Sequence, residues 1–425
     1  MKNNFNTYKW VSLMSFSMMY IFVYLARFNV NNLMPYVADN IDITMQQQEM
    51  ISLSVFISYA AGSFVNGYLA DRFGAKKIII IGGIMTSFMN AAVPFQEHWS
   101  GLFLIWFING YFQSMIWVGG ISFLSHWWKE GERGKGVGIA NFFSGMSHAV
   151  AYVIPVMILS VFPAISWKWN FVLPIGLLLI FVALFGIFAV ERPEKAGLLP
   201  YDSTIKRHRI REEKLRKIYE QGKTPWKYFL SQPKFWWWCC IAAISSVCRY
   251  GLLNWIPLYY ENELGGNILS EEFSNLTLPI GMAFGTLAIT WAAGTKMFNN
   301  KGIVITAMAA ICGTLIIIFP MIDDVQSVLV GIFFTGFAIY GINGVLWVHA
   351  IDQGCRVFAG SVAGIFNGFA YLGACLEGVL FPMVLNAFGN YLAVFILMEV
   401  LCILMVLCGM AVSKKNTSIV PEIRE

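Results

Sequence analysis

The stretch YLARFNVNNLMP, residues 24–35, returns half a chain later as SVCRYGLLNWIP, residues 246–257. Both copies place an arginine before an aromatic residue (Arg27-Phe28, Arg249-Tyr250), then an asparagine (Asn32, Asn254) and a proline (Pro35, Pro257) at matching distances. A second pair keeps nearly the same offset: Gly138-Ile139-Ala140-Asn141 against Gly364-Ile365-Phe366-Asn367. One such match is easily accidental; two in equivalent places point to an internal duplication. Each arginine stands inside a run apolar enough to cross a bilayer, where a charge costs about 3 kcal/mol or more. The pattern reads as two copies of a helical membrane unit, each carrying one intramembrane cation.

Working outward, the whole chain agrees. Of its 425 residues 57% are hydrophobic and 12% charged, with a mean hydropathy of +0.63. A soluble domain carries about 25% charged residues. That deficit excludes a soluble enzyme, a disordered chain and a nucleic-acid partner. Twelve runs approach the roughly 20 apolar residues a span requires, near 11–36, 50–70, 78–96, 101–125, 136–162, 170–190, 235–260, 275–296, 302–322, 327–349, 358–385 and 390–412. None alternates with the two-residue period of a barrel strand. The first run is not read as a cleaved signal, since it is long, contains Arg27 and lacks a small-residue cleavage site. The expected fold is an all-α polytopic membrane protein with twelve transmembrane helices in two pseudo-symmetric six-helix bundles. The expected bundles are 1–190 and 235–425, joined by a basic linker at 191–234. Parallel six-helix repeats around a midplane site are a transporter architecture.

Basic residues set the orientation. Of 29 Lys and Arg, only Lys168 falls in a loop on the opposite face, and only Arg27 and Arg249 fall inside spans. Both termini are therefore expected on the cytoplasmic side of the cell membrane. The linker sequence KRHRIREEKLRKIYEQGK is read as a solvated helix joining the halves, with a basic platform for lipid or a partner as the alternative. The eight cysteines show no metal-ligand spacing and no disulfide framework, and read as small membrane residues. Gly119-Gly120 and Gly341-x2-Gly344 lack the lysine and strand context of a phosphate loop, so they read as helix-packing sites. No nucleophile–base arrangement or zinc motif appears, so neither enzyme nor cofactor is expected.

Arg27 and Arg249 have no acid at i±3 or i±4. Two such forks at equivalent repeat positions are expected to converge and to bind a phosphate monoester through bidentate bonds. The alternative is pairing with a buried acid, Glu377 or Glu399. His148 shares a helical stripe with Asn141, Ser144 and Tyr152, and is either a packing residue or a third donor to the anion. Tyr24 and Asn31 lie one turn either side of Arg27 and are candidate substrate contacts. Glu377 has three readings: counter-ion to an arginine, partner of substrate hydroxyls or an amine, or proton site. His349 and Asp352 are assigned to the gate or loop at the end of their span.

The segment GYLADRFGAKK, residues 67–77, resembles the loop signature of the major facilitator superfamily. Its glycines allow a turn and close helix approach; Gly67, Asp71, Arg72 and Lys76 are the expected conformational gate, with Asp71 and Arg72 forming ion pairs. Gly294-Thr295-Lys296 and Asn299-Asn300-Lys301 are a degenerate second copy. Within that superfamily the whole chain resembles the organophosphate:phosphate antiporters, through YLARFNVNNLMPYV, SGMSHAVAYVIP, ERPEKAGLLP, CRYGLLNWIPLYY and HAIDQGCRVFAGSVAG. The resemblance implies that Arg27 and Arg249 bind phosphate and that His148 is the substrate-site histidine. It departs from the glycerol-3-phosphate branch at Ser63, where that branch has lysine, and at Glu377. What it implies is a monomer in the bilayer that exchanges an organophosphate for inorganic phosphate by alternating access. The competing readings are a proton-coupled organic-anion symporter, with Glu377 carrying the proton, and a hexose-phosphate membrane sensor that need not transport.

Overall fold

The computed structural model describes residues 2–161, 168–201, 206–263, 271–294, 300–318, 321–322 and 324–414. The side chains of Asn31 and Tyr152 lie outside the described residues. The first half supplies α1 (Lys2–Ile41), α2 (Met45–Phe73), α3 (Ala75–Ala92), α4 (Trp99–Trp127), α5 (Arg133–Val161) and α6 (Trp169–Phe188). Two short helices follow, α7 (Lys206–Glu220) and α8 (Trp226–Leu230). The second half supplies α9 (Pro233–Glu263), α10 (Glu271–Ala293), α11 (Lys301–Ile318), α12 (Val325–Gly354), α13 (Ala359–Phe388) and α14 (Tyr391–Ser413). All but α7 and α8 hold a stretch long and apolar enough to cross a membrane, twelve among the described residues. The helices outrun the apolar runs that announce them, because polar turns at both ends continue the same hydrogen-bond ladder.

Local chemistry sets the boundaries. The Thr44 hydroxyl accepts from Gln47 N (3.3 Å) and the Gln47 side chain accepts from Thr44 N (3.0 Å), a capping box that starts α2. Gly74 ends α2 at φ +104°, a backbone region that L side chains rarely adopt, and α3 begins at the next residue. Asn390 and Asp324 cap α14 and α12 by accepting from Ala393 N and Ser327 N, both at 2.9 Å.

Eight helices (α1, α2, α4, α5, α9, α10, α12 and α13) form the interior of the bundle. The other four lie outside it: α3 and α6 pack on each other and on α4 and α1, and α11 and α14 pack on each other and on α12 and α9. Their outward faces are apolar, as at Ile187, Phe188, Ile403 and Leu407. Lipid in place of water makes such a surface stable.

The two halves meet along α2–α13 and α5–α10. A Cβ at Gly67 would strike the Gly360 carbonyl, and one at Gly134 would strike the Thr290 carbonyl; Gly294 Cα lies 3.3 Å from that position. Gly145 meets Ala283 Cα at 2.6 Å on the same test. Small residues let helix backbones approach this closely. All these contacts lie in the halves of the helices nearest the basic loops, so the two sets are closed against each other at that end.

Candidate functional site

Arg27 is buried in α1, with 3% of its surface exposed. Its Nε donates to Gln113 Oε1 (2.6 Å) and its Nη1 to Tyr371 OH (2.7 Å), while Nη2 has no partner among the described residues. The rings of Tyr24 and Tyr59 lie 4.6 and 4.7 Å from its guanidinium carbon. Gln113 is itself held, because its Nε2 donates to the Ala26 carbonyl (2.9 Å), which also receives Asn90 Nδ2 (3.0 Å) and Asn109 Nδ2 (3.3 Å). This amide collar joins α1, α3 and α4 and fixes the height at which Arg27 leaves its helix.

Arg249 is buried in α9, over the rings of Tyr250 (4.3 Å) and Tyr340 (5.6 Å), and its Nε has no partner among the described residues. Among the described residues no carboxylate forms an ion pair with either arginine. Glu377 instead accepts from Trp255 Nε1 (2.9 Å) and from Asn254 Nδ2 (3.4 Å). Glu399 leaves one oxygen without a described partner, against Gly313 and Cys402. The counter-ion reading of these two acids is therefore absent from this conformation.

The two arginines line different cavities. One holds Arg249 with Tyr24, Tyr340, Tyr371, Asn141 and Trp347 among its walls. A smaller one reaches Arg27 from the side of Trp106 and Ser52. Tyr371 stands between, lining the larger cavity with its ring and holding Arg27 with its hydroxyl. Convergence of the two forks, expected from the repeat, is interrupted here by an aromatic layer of Tyr24, Tyr59 and Tyr371.

His148 packs on Tyr24, with ring centroids 4.4 Å apart, and its Nδ1 lies 3.2 Å from the Ser144 carbonyl. A carbonyl only accepts, so Nδ1 carries the proton. Nε2, buried and without a described partner, then holds a lone pair. In this tautomer His148 can donate to an anion only after taking a second proton. Ser63, where the resembling branch has lysine, accepts from Asn367 Nδ2 (3.2 Å) and so ties α2 to α13.

At the basic end, Asp71 accepts from Gly360 N (2.9 Å), Ser361 N (2.6 Å), Ser361 Oγ (2.7 Å) and Ser122 Oγ (2.7 Å). Phe358 caps α13 without a side-chain hydrogen bond, so Asp71 caps that helix from the other half of the molecule. The ion pairs expected of Asp71 and of Arg72 are not formed among the described residues in this conformation. Neighbours on a helix point about 100° apart, and Arg72 turns away to donate to the Tyr219 carbonyl (3.2 Å). Lys76 donates to the Ala189 carbonyl (2.7 Å). Asp352 bridges the halves, taking Arg133 (2.7 Å) and Lys301 (2.6 Å).

Sequence reasoning missed Gln113, Tyr59, Tyr340, Tyr371 and the tryptophans Trp117 and Trp347. Gln113 carried a usable signal, a long amide inside an apolar span. The aromatics carried none in a chain with 17 Tyr and 15 Trp.

Comparison with known proteins bears on this geometry. Residues 16–377 match the model of the Major Facilitator Superfamily. A glycerol-3-phosphate transporter of Bacillus subtilis is 23% identical over 399 residues, covering 90% of this chain and 87% of that one. The membrane sensor protein UhpC of Salmonella typhimurium is 25% identical over 369 residues, covering 84% of this chain and 81% of the other. Among solved structures, the proton:xylose symporter XylE bound to 6-bromo-6-deoxy-D-glucose superposes with a TM-score of 0.71 at 14% identity, over 95% of each chain. At that identity the likeness speaks for the fold.

Proposed function

The chain belongs to the Major Facilitator Superfamily, and from that premise we propose that it exchanges an organophosphate for inorganic phosphate by alternating access. The observation that carries the reading is two buried guanidiniums, one per half, with no carboxylate paired to either among the described residues. Arginine cannot shed its proton, so the site has a standing demand for an anion. A phosphate ester carries about −1.5 to −2 charges at neutral pH and offers enough oxygens for both forks. The similarity to a glycerol-3-phosphate transporter supports the same substrate class.

In this reading phosphate takes the place of the Tyr371 hydroxyl on Arg27 and draws Arg249 across the aromatic layer. Tyr24 flanks the bound anion, and Asn31 is assigned the neighbouring contact. His148 adds a third donor once protonated. The empty site, with two like charges, resists rearrangement; the loaded site is neutral and lets the halves rock, so transport is exchange. We assign residues 1–190 and 235–425 to the rocking halves, 191–234 to the linker, and the basic end with both termini to the cytoplasm. Gly67, Asp71, Arg72 and Lys76 belong to the gate on that side.

Counterflow tests this. Phosphate-loaded proteoliposomes should take up labelled glycerol 3-phosphate or glucose 6-phosphate. Arg27→Lys and Arg249→Lys should each slow uptake roughly 10- to 100-fold, since each removes a charged bidentate contact worth about 1.5–3 kcal/mol. Undiminished uptake in either variant defeats the two-fork reading.

Glu377 favours a second reading. It is buried in a span and held only by neutral donors among the described residues, and intramembrane carboxyls often carry protons. If the chain is a proton symporter, a pH gradient alone drives uptake and Glu377→Gln abolishes that component. Under phosphate exchange the gradient has no effect and the variant still exchanges.

A further inference from the structure

The larger cavity ends, toward the basic side, on two tryptophans, one from each half. Trp117 of α4 and Trp347 of α12 pack edge to face, with ring centroids 5.6 Å apart and an interplanar angle of 72°. Both line the cavity, both are more than nine-tenths buried, and neither indole Nε1 has a hydrogen-bond partner among the described residues. A buried donor left unpaired costs about 1–3 kcal/mol. In an edge-to-face pair only one ring can direct its edge at the other's face, so the rings cannot satisfy each other. A third unpaired polar atom faces the same space: Asn141 Oδ1, buried and without a described partner, on a residue that lines the cavity.

We infer that Trp117, Trp347 and Asn141 form the subsite that reads the organic end of the substrate, and that this end is a polyhydroxylated sugar or polyol. The inference rests on the exchange reading, which seats the phosphate at the arginines. Trp347 lies two turns along α12 from Tyr340, the ring beneath Arg249, which is about 10 Å of helix axis. Tyr20, which touches Trp117 at 4.9 Å between centroids, lies two turns from Arg27 on α1. A glycerol backbone hung from the phosphate falls short of that floor; a six-carbon ester reaches it. The atom types then choose between hydroxyl and carboxylate. The indoles only donate and Asn141 Oδ1 only accepts, and a hydroxyl meets both demands, whereas a carboxylate meets only the first. No cation lines this end of the cavity among the described residues. Tyr20 and Trp117, both in the cavity wall, supply apolar surface against which a sugar's C–H groups would pack.

The test is thermal stabilisation of the purified full chain by inorganic phosphate, glucose 6-phosphate, deoxy analogues of that ester and 3-phosphoglycerate, read as apparent dissociation constants. Trp117→Phe and Trp347→Phe keep the ring and remove the donor. Each should raise the ratio of the glucose 6-phosphate constant to the phosphate constant roughly 3- to 10-fold, the worth of one neutral hydrogen bond. On the unaltered protein one deoxy analogue should lose a similar factor, and that discrimination should vanish in the matching variant, which separates a direct contact from a folding defect. Unchanged ratios in both variants overturn the inference, as does a preference for 3-phosphoglycerate over the sugar ester. A protein stabilised by phosphate but not by glucose 6-phosphate also overturns it and leaves exchange standing. Indifference to every phosphate removes both.

Discussion

At the scale of single residues, the position of Arg27 is set by a neutral amide. Gln113 accepts from Arg27 Nε on one side and donates to the Ala26 carbonyl on the other. It therefore aims the guanidinium without neutralising it, which an acid in the same place would do. Gln113→Leu keeps the volume and removes both bonds. Phosphate affinity should fall roughly 10-fold, since a bond to a charged group is worth about 1.5–3 kcal/mol and part of it is recovered by water. Gln113→Glu should do more harm, because its carboxylate would satisfy Arg27 permanently. Isothermal titration of the variants with phosphate checks both, and a Glu variant that binds phosphate as the parent does refutes the argument. The arginines were legible in the sequence because a charge in an apolar run is costly and hence conspicuous. Tyr371 and Trp347 were not: aromatic residues are at home anywhere in a membrane protein, and only the tertiary arrangement selects the few that converge.

At the scale of elements, the helices were legible throughout and their crossings only in part. Length and hydropathy specify a span without saying which span it touches. GYLADRFGAKK did carry one crossing, since Gly67 has no room for a side chain against Gly360 and Gly364 of α13. The linker is the element whose reading changed most. One face of α7 is solvated as expected, at Arg209, Glu213 and Lys217, but the other is docked, with Leu215 fully buried. Arg211 donates to the Asp352 carbonyl (2.9 Å), Glu212 takes Arg356 (2.7 Å), and the Tyr219 carbonyl takes Arg72. The helix thus lies across the closed basic end and touches both halves, which a charge pattern alone does not disclose. Gly67→Ala should strain the α2–α13 crossing by about 1–3 kcal/mol. That strain exists only while the basic end is closed. The population should shift roughly 5- to 100-fold toward a state open there. Spin labels on α2 and α13 near the basic end should report the longer distance, and an unchanged distribution would show that the crossing does not govern closure.

At the scale of the whole molecule, the basic end is held shut by small-residue helix crossings, the Asp71 cap and the Arg133–Asp352 ion pair, contacts that water can replace at little hydrophobic cost when the halves part there. Cys355, between α12 and α13 at that end, is placed to report the separation. Only 1% of it is exposed, its Sγ contacts the His208 carbonyl of α7 (4.0 Å), and burial pushes its thiol up to about 12. Maleimides attack thiolate, and an ordinary thiol titrates near 8.5. While the end is closed, labelling by a charged maleimide should be slow at pH 7.5, and still slow at pH 9, where an ordinary thiol is largely ionised. When the halves rock apart, α7 lifts and the thiol returns toward its ordinary value, so labelling should accelerate and climb about tenfold per pH unit up to 8.5. Phosphate on both faces, which sets an exchanger cycling, should raise the rate; Cys355→Ser should remove the signal; Gly67→Ala should raise the rate without phosphate. Of the other cysteines five are buried, and Cys240 and Cys375 lie within apolar spans, where lipid would shield them from a charged reagent. A rate at Cys355 that ignores phosphate at every pH would mean that the basic end does not open during exchange, and the alternating-access proposal would lose its inward step.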